Sequence, residues 1–222
     1  MSKGLGQWKN TLNPAQVAEG MNAANQNAKR LLTDAEILFK SGRYPSAISL
    51  AILSIEESGK TGILRQLAVA KNGDEVKQAW KAYRLHTQKN ASWIFPSLVQ
   101  AGGSKLNDFL NMYEKDAEHP RLLDNLKQIG FYTDCLGKAN WSVPEEVIDE
   151  KNTKEIMSVA RLLLNKKDTT AREIELWIKH LKPVWNTPEK VVKVALLEWF
   201  NEMKAEGLIT EGEYSFKDFI GL

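Results

Sequence analysis

The sequence predicts an all-α protein. Apolar residues recur at three- and four-residue spacing over long stretches, and glycine or proline separates these stretches from one another. No Asn-Gly or similar turn lies between two alternating apolar runs, so the sequence carries no hairpin signal. The 222 residues are enough for one sizeable core, and the composition, 43% hydrophobic and 26% charged, is typical of a globular protein.

Two long helices open the predicted fold. Asn13 and Pro14 are suited to the N-cap and the first turn of a helix, and Gly42 ends that helix. A second helix begins at Pro45 and reaches about Ala70. Because only a few residues join the two helices, we expect them to form an antiparallel hairpin.

The later elements are shorter. The sequence predicts further helices over about residues 74–90, 104–130, 153–165, 170–182 and 187–206. The second of these is expected to be broken or bent near residues 119–120. Thr170 and Glu173 are spaced as a capping box for the fourth of these. The turn-rich loop 131–147 carries three aromatic residues, and we expect these to pin the loop to the core.

Composition restricts the class of function. Lysine and arginine total 30 against 28 acidic residues, and the net charge of +2 does not indicate bulk nucleic-acid binding. The single Cys135 excludes an internal disulfide and is compatible with a reducing compartment. No apolar stretch reaches the roughly 20 residues that span a bilayer, and the first residues lack the apolar core of a secretory signal. We expect a cytoplasmic protein without membrane contact.

Charged residues interrupt the apolar second helix. The stretch AISLAILSIEESGKTGIL, residues 47–64, contains Glu56, Glu57 and Lys60. On a helical wheel these three lie in a sector that they share with leucines. The opposite, polar side defines the expected solvent face, which consists of Ser54, Ser58, Thr61 and Arg65. The three charged side chains are therefore expected to point inward.

Inward charges need partners, because an unpaired buried carboxylate is costly. Glu56 and Lys60 have the i,i+4 spacing of an ion pair along a helix, which leaves Glu57 to find a donor on another element. On the predicted third helix His86 faces inward and Lys89 lies on the flank of the same face. These five residues form one predicted polar cluster. It is either an ion-pair network that fixes helix packing or a site in which a carboxylate tunes His86 for acid–base work.

Other chemistry has little support. His119 and His180 are isolated, and no histidine or cysteine spacing marks a metal site, so we expect no metal and no cofactor. Gly59 and Gly62 lie on the apolar face of the second helix, where small residues permit the close approach of another helix or a partner chain.

Several motifs together resemble a known family. They are the run NAKRLLTDAEILFKSGRYPSAISLAILSIEESGK, an H-x-x-K pair at His86 and Lys89, and the segments GFYTDC and WSVPEEV. Over about residues 20–165 the chain resembles the AbiV family of bacterial abortive-infection proteins, within the broader HEPN group. The resemblance implies a HEPN-like antiparallel helical bundle with extra C-terminal helices. We expect the bundle to cover residues 13–165 and a helical extension, residues 166–222, to pack on the same domain.

The resemblance implies phage defence. An infected cell is shut down, with translation blocked, after the protein meets a phage-encoded trigger. HEPN-type domains commonly dimerise, and many cleave RNA with an R-x(4–6)-H motif. This chain departs from that motif, because Arg84 and His86 are separated by one residue, and Arg172 and His180 by seven.

Three hypotheses follow. The first is an effector that halts translation by binding the host machinery or its RNA. The alternative is a HEPN-like, metal-independent ribonuclease whose candidate catalytic residues are Glu56, Glu57, Lys60, His86 and Lys89. A helical scaffold with a purely structural polar cluster is the third. The expected partners are a second copy of the chain, with the early helices near the interface, a phage-encoded trigger protein, and RNA or the translation machinery.

Overall fold

The protein is mostly helical, which confirms the predicted all-α class. The computed structural model describes residues 6–114, 116–210, 212 and 215–222. Within these ranges, no helix is both long enough and apolar enough to cross a membrane.

The two long helices begin and end close to their predicted positions. Helix α1 spans Pro14–Lys40 and α2 spans Tyr44–Val69. Gly42 has a φ of +70°, the left-handed conformation that commonly ends a helix. The amide of Arg43 donates to the carbonyl of Leu38 at 2.9 Å, which closes the turn between the two helices.

The predicted solvent face of α2 is wrong. Ser54 is fully buried, and its hydroxyl donates to the carbonyl of Ala28 in α1 at 2.8 Å. Ser58 is also buried, and Thr61 and Arg65 are half-buried. Ser54 can lie against α1 because its hydroxyl is satisfied by a backbone carbonyl without reaching water.

The predicted third helix is broken. Helix α3 spans Gly73–Arg84 and is followed by the four-residue helix α4, His86–Lys89. Leu85 lies between them with extended backbone angles, φ −86° and ψ 127°. His86 therefore does not continue the inward face of α3, contrary to the prediction.

The central part of the chain is less regular than predicted. Its elements are the 3₁₀ helix η1 (Ala91–Ile94), α5 (Phe95–Gln100), the 3₁₀ helix η2 (Leu106–Tyr113) and α6 (His119–Phe131). The sequence predicted a helix over 104–130 that is broken or bent near residues 119–120, and the structure shows a break before residue 119. Only its second half is an α-helix, and it begins with Pro120 in its first turn, where the missing N–H has no cost.

A small hairpin that the sequence did not predict follows α6. Strand β1, Asp134–Leu136, pairs antiparallel with β2, Asn140–Ser142. Gly137 and Ala139 in the turn both have a positive φ, 55° and 61°. The strands are three residues long, too short to show the alternation that predicts a strand.

The C-terminal elements agree better with prediction. They are α7 (Pro144–Val147), α8 (Glu150–Leu163), α9 (Ala171–Val184), α10 (Glu189–Ala205) and α11 (Phe216–Ile220). The capping box of α9 is confirmed, since Thr170 and Glu173 each accept a hydrogen bond from the other's backbone amide. Helix α9 continues through Pro183 rather than ending before it.

The chain divides into two compact units. The first contains the described parts of residues 1–20, 62–84 and 169–222, and the second contains residues 21–61 and 85–168. The core of the second unit includes Ile48, Ile52, Ile55, Leu123, Ile148 and Met157. That of the first includes Val69, Leu176, Leu181, Trp199, Phe200 and Met203. The expected domain boundary near residue 165 stays a prediction.

Candidate functional site

Glu56 is the buried centre of a polar cluster in the second unit. It lies in α2 with 2% of its side chain exposed, and its Oε2 lies 2.6 Å from Nδ1 of His86. The same oxygen lies 3.3 Å from Nζ of Lys89. Its Oε1 lies 2.5 Å from Nζ of Lys127. A buried carboxylate is costly unless it is paired, and these three groups pair it.

Two of these partners come from α4, whose backbone lies against α2 at Gly59. A Cβ added to Gly59 would lie only 1.9 Å from the carbonyl oxygen of Lys89, so the approach requires glycine. It brings His86 and Lys89, the two ends of α4, next to the turn of α2 that carries Glu56. Gly62 behaves differently, because it is exposed and a Cβ there would meet no atom within 4 Å.

The third partner comes from α6, which packs closely against α2. A Cβ added to Gly130 would lie 2.3 Å from Oγ of Ser49, and this hydroxyl donates to the carbonyl of Lys127 at 3.3 Å. The Lys127 ammonium also lies 2.7 Å from Oδ1 of Asp124. Lys127 therefore bridges two carboxylates, those of Glu56 and Asp124, from a position that is almost fully buried.

The contacts within the cluster shift the pKa values of Glu56 and Lys127 so that both groups stay ionised. Burial alone would raise the pKa of Glu56, but hydrogen bonds from Lys127 and His86 and the charges of Lys127 and Lys89 together hold that pKa below its ordinary value. Burial alone would lower the pKa of Lys127, yet its contacts with Asp124 and Glu56 raise it above the ordinary value. At neutral pH the centre is a charged carboxylate paired with a charged ammonium.

His86 is the exposed member of the cluster, which corrects the predicted inward position. Its side chain is 54% exposed, although its Nδ1 contacts the buried Glu56. An ionised carboxylate only accepts hydrogen bonds, so Nδ1 carries the proton that it donates to Glu56. In the neutral imidazole the lone pair is then on Nε2, on the other side of the ring. A carboxylate that orients an imidazole in this way prepares Nε2 to act as a general base.

One set of side chains in the described residues has the atoms for a metal site. Donor atoms of Glu56, His86 and Asp124 all lie within 4.8 Å of one another. The Lys127 ammonium, however, already lies 2.5 Å from the Glu56 carboxylate and 2.7 Å from that of Asp124. A divalent ion would have to displace this cation, so the donor set fits a lysine better than a metal.

The structure brings together only part of the predicted cluster. Glu56 contacts both His86 and Lys89, as predicted. The prediction that Glu57 finds its donor on another element is wrong, because its carboxylate lies 2.6 Å from Nζ of Lys60 in its own helix. Both members of this second pair are mostly shielded from solvent. A functional role for any of the five stays a prediction.

Sequence reasoning missed two members of the cluster, Lys127 and Asp124. Lys127 lies four residues after Leu123 and three before Gly130, and all three are buried. A lysine at this spacing lies on the apolar face of its helix, which was the available signal.

The end of α6 and the segment that follows it expose large apolar side chains. Tyr132 is 63% exposed and Trp141 is 71% exposed, and Phe131 is also exposed. The prediction that these aromatic residues pin the loop to the core is therefore wrong. Ser142 and Ile148 are buried in their place. Exposed aromatic residues are more typical of a binding surface than of a free surface.

Comparison with known families agrees with the motifs. The family model for the HEPN domain of AbiV matches residues 16–165, about two thirds of the chain. The chain belongs to the AbiV family. The match contains the complete polar cluster of this AbiV domain and the hairpin with its exposed aromatic residues. Comparisons with curated proteins and with solved structures give no match.

Membership gives the protein its general role. AbiV proteins act in abortive infection, the defence of a bacterial population against phage. The extended C-terminal part, after residue 165, lies outside the family match.

Proposed function

We propose that this AbiV protein senses a phage-encoded protein and then shuts down translation in the infected cell by binding, not by cutting RNA. The observation that supports this most is the exposure of Tyr132, just after α6, and of Trp141 in strand β2. Tyrosine and tryptophan are the residues most enriched at the energetic centres of protein interfaces.

The charge balance of the polar cluster supports the same proposal. The two carboxylates of Glu56 and Asp124 are balanced by the ammonium groups of Lys89 and Lys127, which are both buried. RNA binding depends mainly on accessible cations that contact phosphates. A cluster whose lysines are buried against carboxylates offers few such contacts.

A metal-independent ribonuclease is the second candidate, and the His86–Glu56 contact favours it. Nε2 of His86 would take the proton of an RNA 2′-hydroxyl while Glu56 stabilises the resulting imidazolium. The 2′-oxygen would attack the adjacent phosphorus, the P–O5′ bond would break, and a 2′,3′-cyclic phosphate and a 5′-hydroxyl would form. The protonated imidazole would return its proton to the leaving oxygen.

The variant His86→Gln separates the two candidates. Glutamine keeps a hydrogen-bond donor for Glu56 but cannot act as a base, and His86 is exposed enough to tolerate the change. If the protein acts by binding, the variant protects cells against phage as well as the wild type. Loss of protection by a variant with a normal melting temperature would favour the ribonuclease.

We also propose that the protein works as a homodimer with the early helices at or near its interface. Gly62 supports this, because it is exposed on α2 and leaves open space above the helix. Gly59 does not contribute, since the backbone of Lys89 in the same chain already occupies its surface.

A further inference from the structure

The segment from α6 to α8, residues 131–150, combines exposed apolar and acidic side chains; we refer to it as the hairpin segment. Its exposed apolar residues are Phe131, Tyr132, Leu136, Trp141 and Val147. Its acidic residues, all exposed, are Asp134, Glu145, Glu146, Asp149 and Glu150. With a single lysine, Lys138, the segment has a net charge of −4, whereas the whole chain has +2.

The register of the hairpin places Trp141 on its outer face. Trp141 is directly opposite Cys135, and Asp134 is directly opposite Ser142. Directly opposed residues share a face of the hairpin, and neighbouring residues along a strand alternate between faces. Ser142 is buried, so its face lies against the protein at that end of the hairpin, while Asp134 and Leu136 on the same face stay exposed. The other face, with Trp141 and Cys135, points to solvent, and both side chains are exposed.

We propose that the hairpin segment docks a basic segment of a partner protein, rich in arginine or lysine. This inference rests on the proposed function, in which the protein acts by binding, and it adds the surface and the chemistry of the partner. The exposed face of Trp141 is a platform for a guanidinium or ammonium group, and the exposed carboxylates of the same segment attract the same cations. Charge complementarity of this kind also increases the rate of association.

The charge of the segment argues against two other occupants. RNA phosphates would be repelled by five exposed carboxylates. A second copy of the chain, docked by a two-fold axis through the same segment, would place a charge of −4 against another charge of −4. A basic protein segment would be attracted by the same negative charge that repels RNA and a second copy of the chain.

Selection from random peptides tests the inference without assuming a partner. A random peptide library displayed on yeast is selected on the purified wild-type protein and counter-selected on Trp141→Ser. The selected peptides should carry an excess of arginine and lysine and bind the wild type at least about tenfold more tightly than Trp141→Ser. Trp8→Ser is the matched control, because Trp8 is 56% exposed and lies far from the segment in sequence, and it should bind like the wild type.

The single cysteine gives an independent readout. A bulky maleimide on Cys135, which is opposite Trp141, should block binding of the selected peptides in the wild type. Selected peptides of neutral or acidic composition, equal binding by Trp141→Ser, preferential binding of single-stranded RNA, or no selected peptides would each overturn the inference.

Experiments in infected cells keep this inference separate from the proposed function. The double variant Glu145→Lys, Glu146→Lys reverses the local charge at two exposed positions and should lose protection, as should Trp141→Ser. If both variants protect fully, the hairpin segment is not the docking surface. The proposal that the protein acts by binding is then unaffected, because another surface could bind the partner. Cleaved RNA in infected cells that contain the wild-type protein would instead contradict action by binding, whatever the result of the peptide selection.

Discussion

Glu56 is the residue around which the polar cluster is organised. Its carboxylate is buried and contacts groups on two other helices, α4 and α6, so its charge links three elements. The same contacts hold its pKa below the ordinary value of 4.5. A carboxyl group whose pKa is lower in the folded than in the unfolded state stabilises the fold above its unfolded pKa, and this contribution is lost as pH falls through the folded pKa.

Glu56→Gln should therefore be destabilised most at neutral pH. Removal of the charge leaves Lys127 buried with one carboxylate fewer, at a cost of about 3 to 5 kcal/mol at about pH 7. On acidification the wild type loses the stabilisation that comes from the Glu56 charge. The variant lacks this charge at every pH. The difference in unfolding free energy between the wild type and Glu56→Gln should therefore become smaller below about pH 4.5. Urea titrations at several pH values measure this difference.

The matched control for this experiment is Glu57→Gln. Glu57 pairs with Lys60 in its own helix and has 16% of its side chain exposed, so its loss should cost clearly less than that of Glu56. A difference between Glu56→Gln and the wild type that stays constant from neutral to acid pH would contradict the assigned role of the Glu56 charge.

Among the elements, α4 depends most on its neighbours. Four residues are too few for a helix that is stable on its own. It is held where the carbonyl of Lys89 meets Gly59 and where its two ends contact Glu56. The packing of α4 against α2 therefore determines whether the cluster assembles.

Gly59→Ala should disrupt this packing. The added Cβ would lie 1.9 Å from the Lys89 carbonyl oxygen, so α4 must move, at a cost of about 1 to 3 kcal/mol. Gly62→Ala, in the same helix, meets nothing within 4 Å in its own chain and should stabilise the single chain by about 1 kcal/mol. Thermal and urea unfolding of both variants measures the difference. Equal effects of the two substitutions would mean that α4 does not lie against Gly59.

The elements also show what the sequence could and could not predict. The long helices α1 and α2 carry their own periodicity, caps and turn glycine, so local rules located them. The break at Leu85 has no glycine or proline to mark it. His86 and Lys89 leave the path of α3 because their partner is Glu56, far away in sequence. A break caused by tertiary contacts is outside the reach of local patterns.

At the scale of the whole molecule, the family match and the predicted fold agree, while the assembly is a proposal. Light scattering at micromolar concentration should give a mass twice that of the 25.1 kDa chain. Gly62→Arg should shift the mass towards that of one chain, because a large charged side chain would then lie at the interface. A wild-type protein that scatters only as a single chain would argue against the dimer.

In the proposed mechanism, translation stops because the protein binds and not because RNA is cut. The direct measurement follows labelled amino-acid incorporation and the 5′ ends of ribosomal, transfer and messenger RNA in the same infected cells. Wild-type protein should stop incorporation while these RNAs stay intact, with no new 5′-hydroxyl ends relative to cells that lack the protein. New 5′ ends that appear with the arrest, and that His86→Gln abolishes, would contradict action by binding.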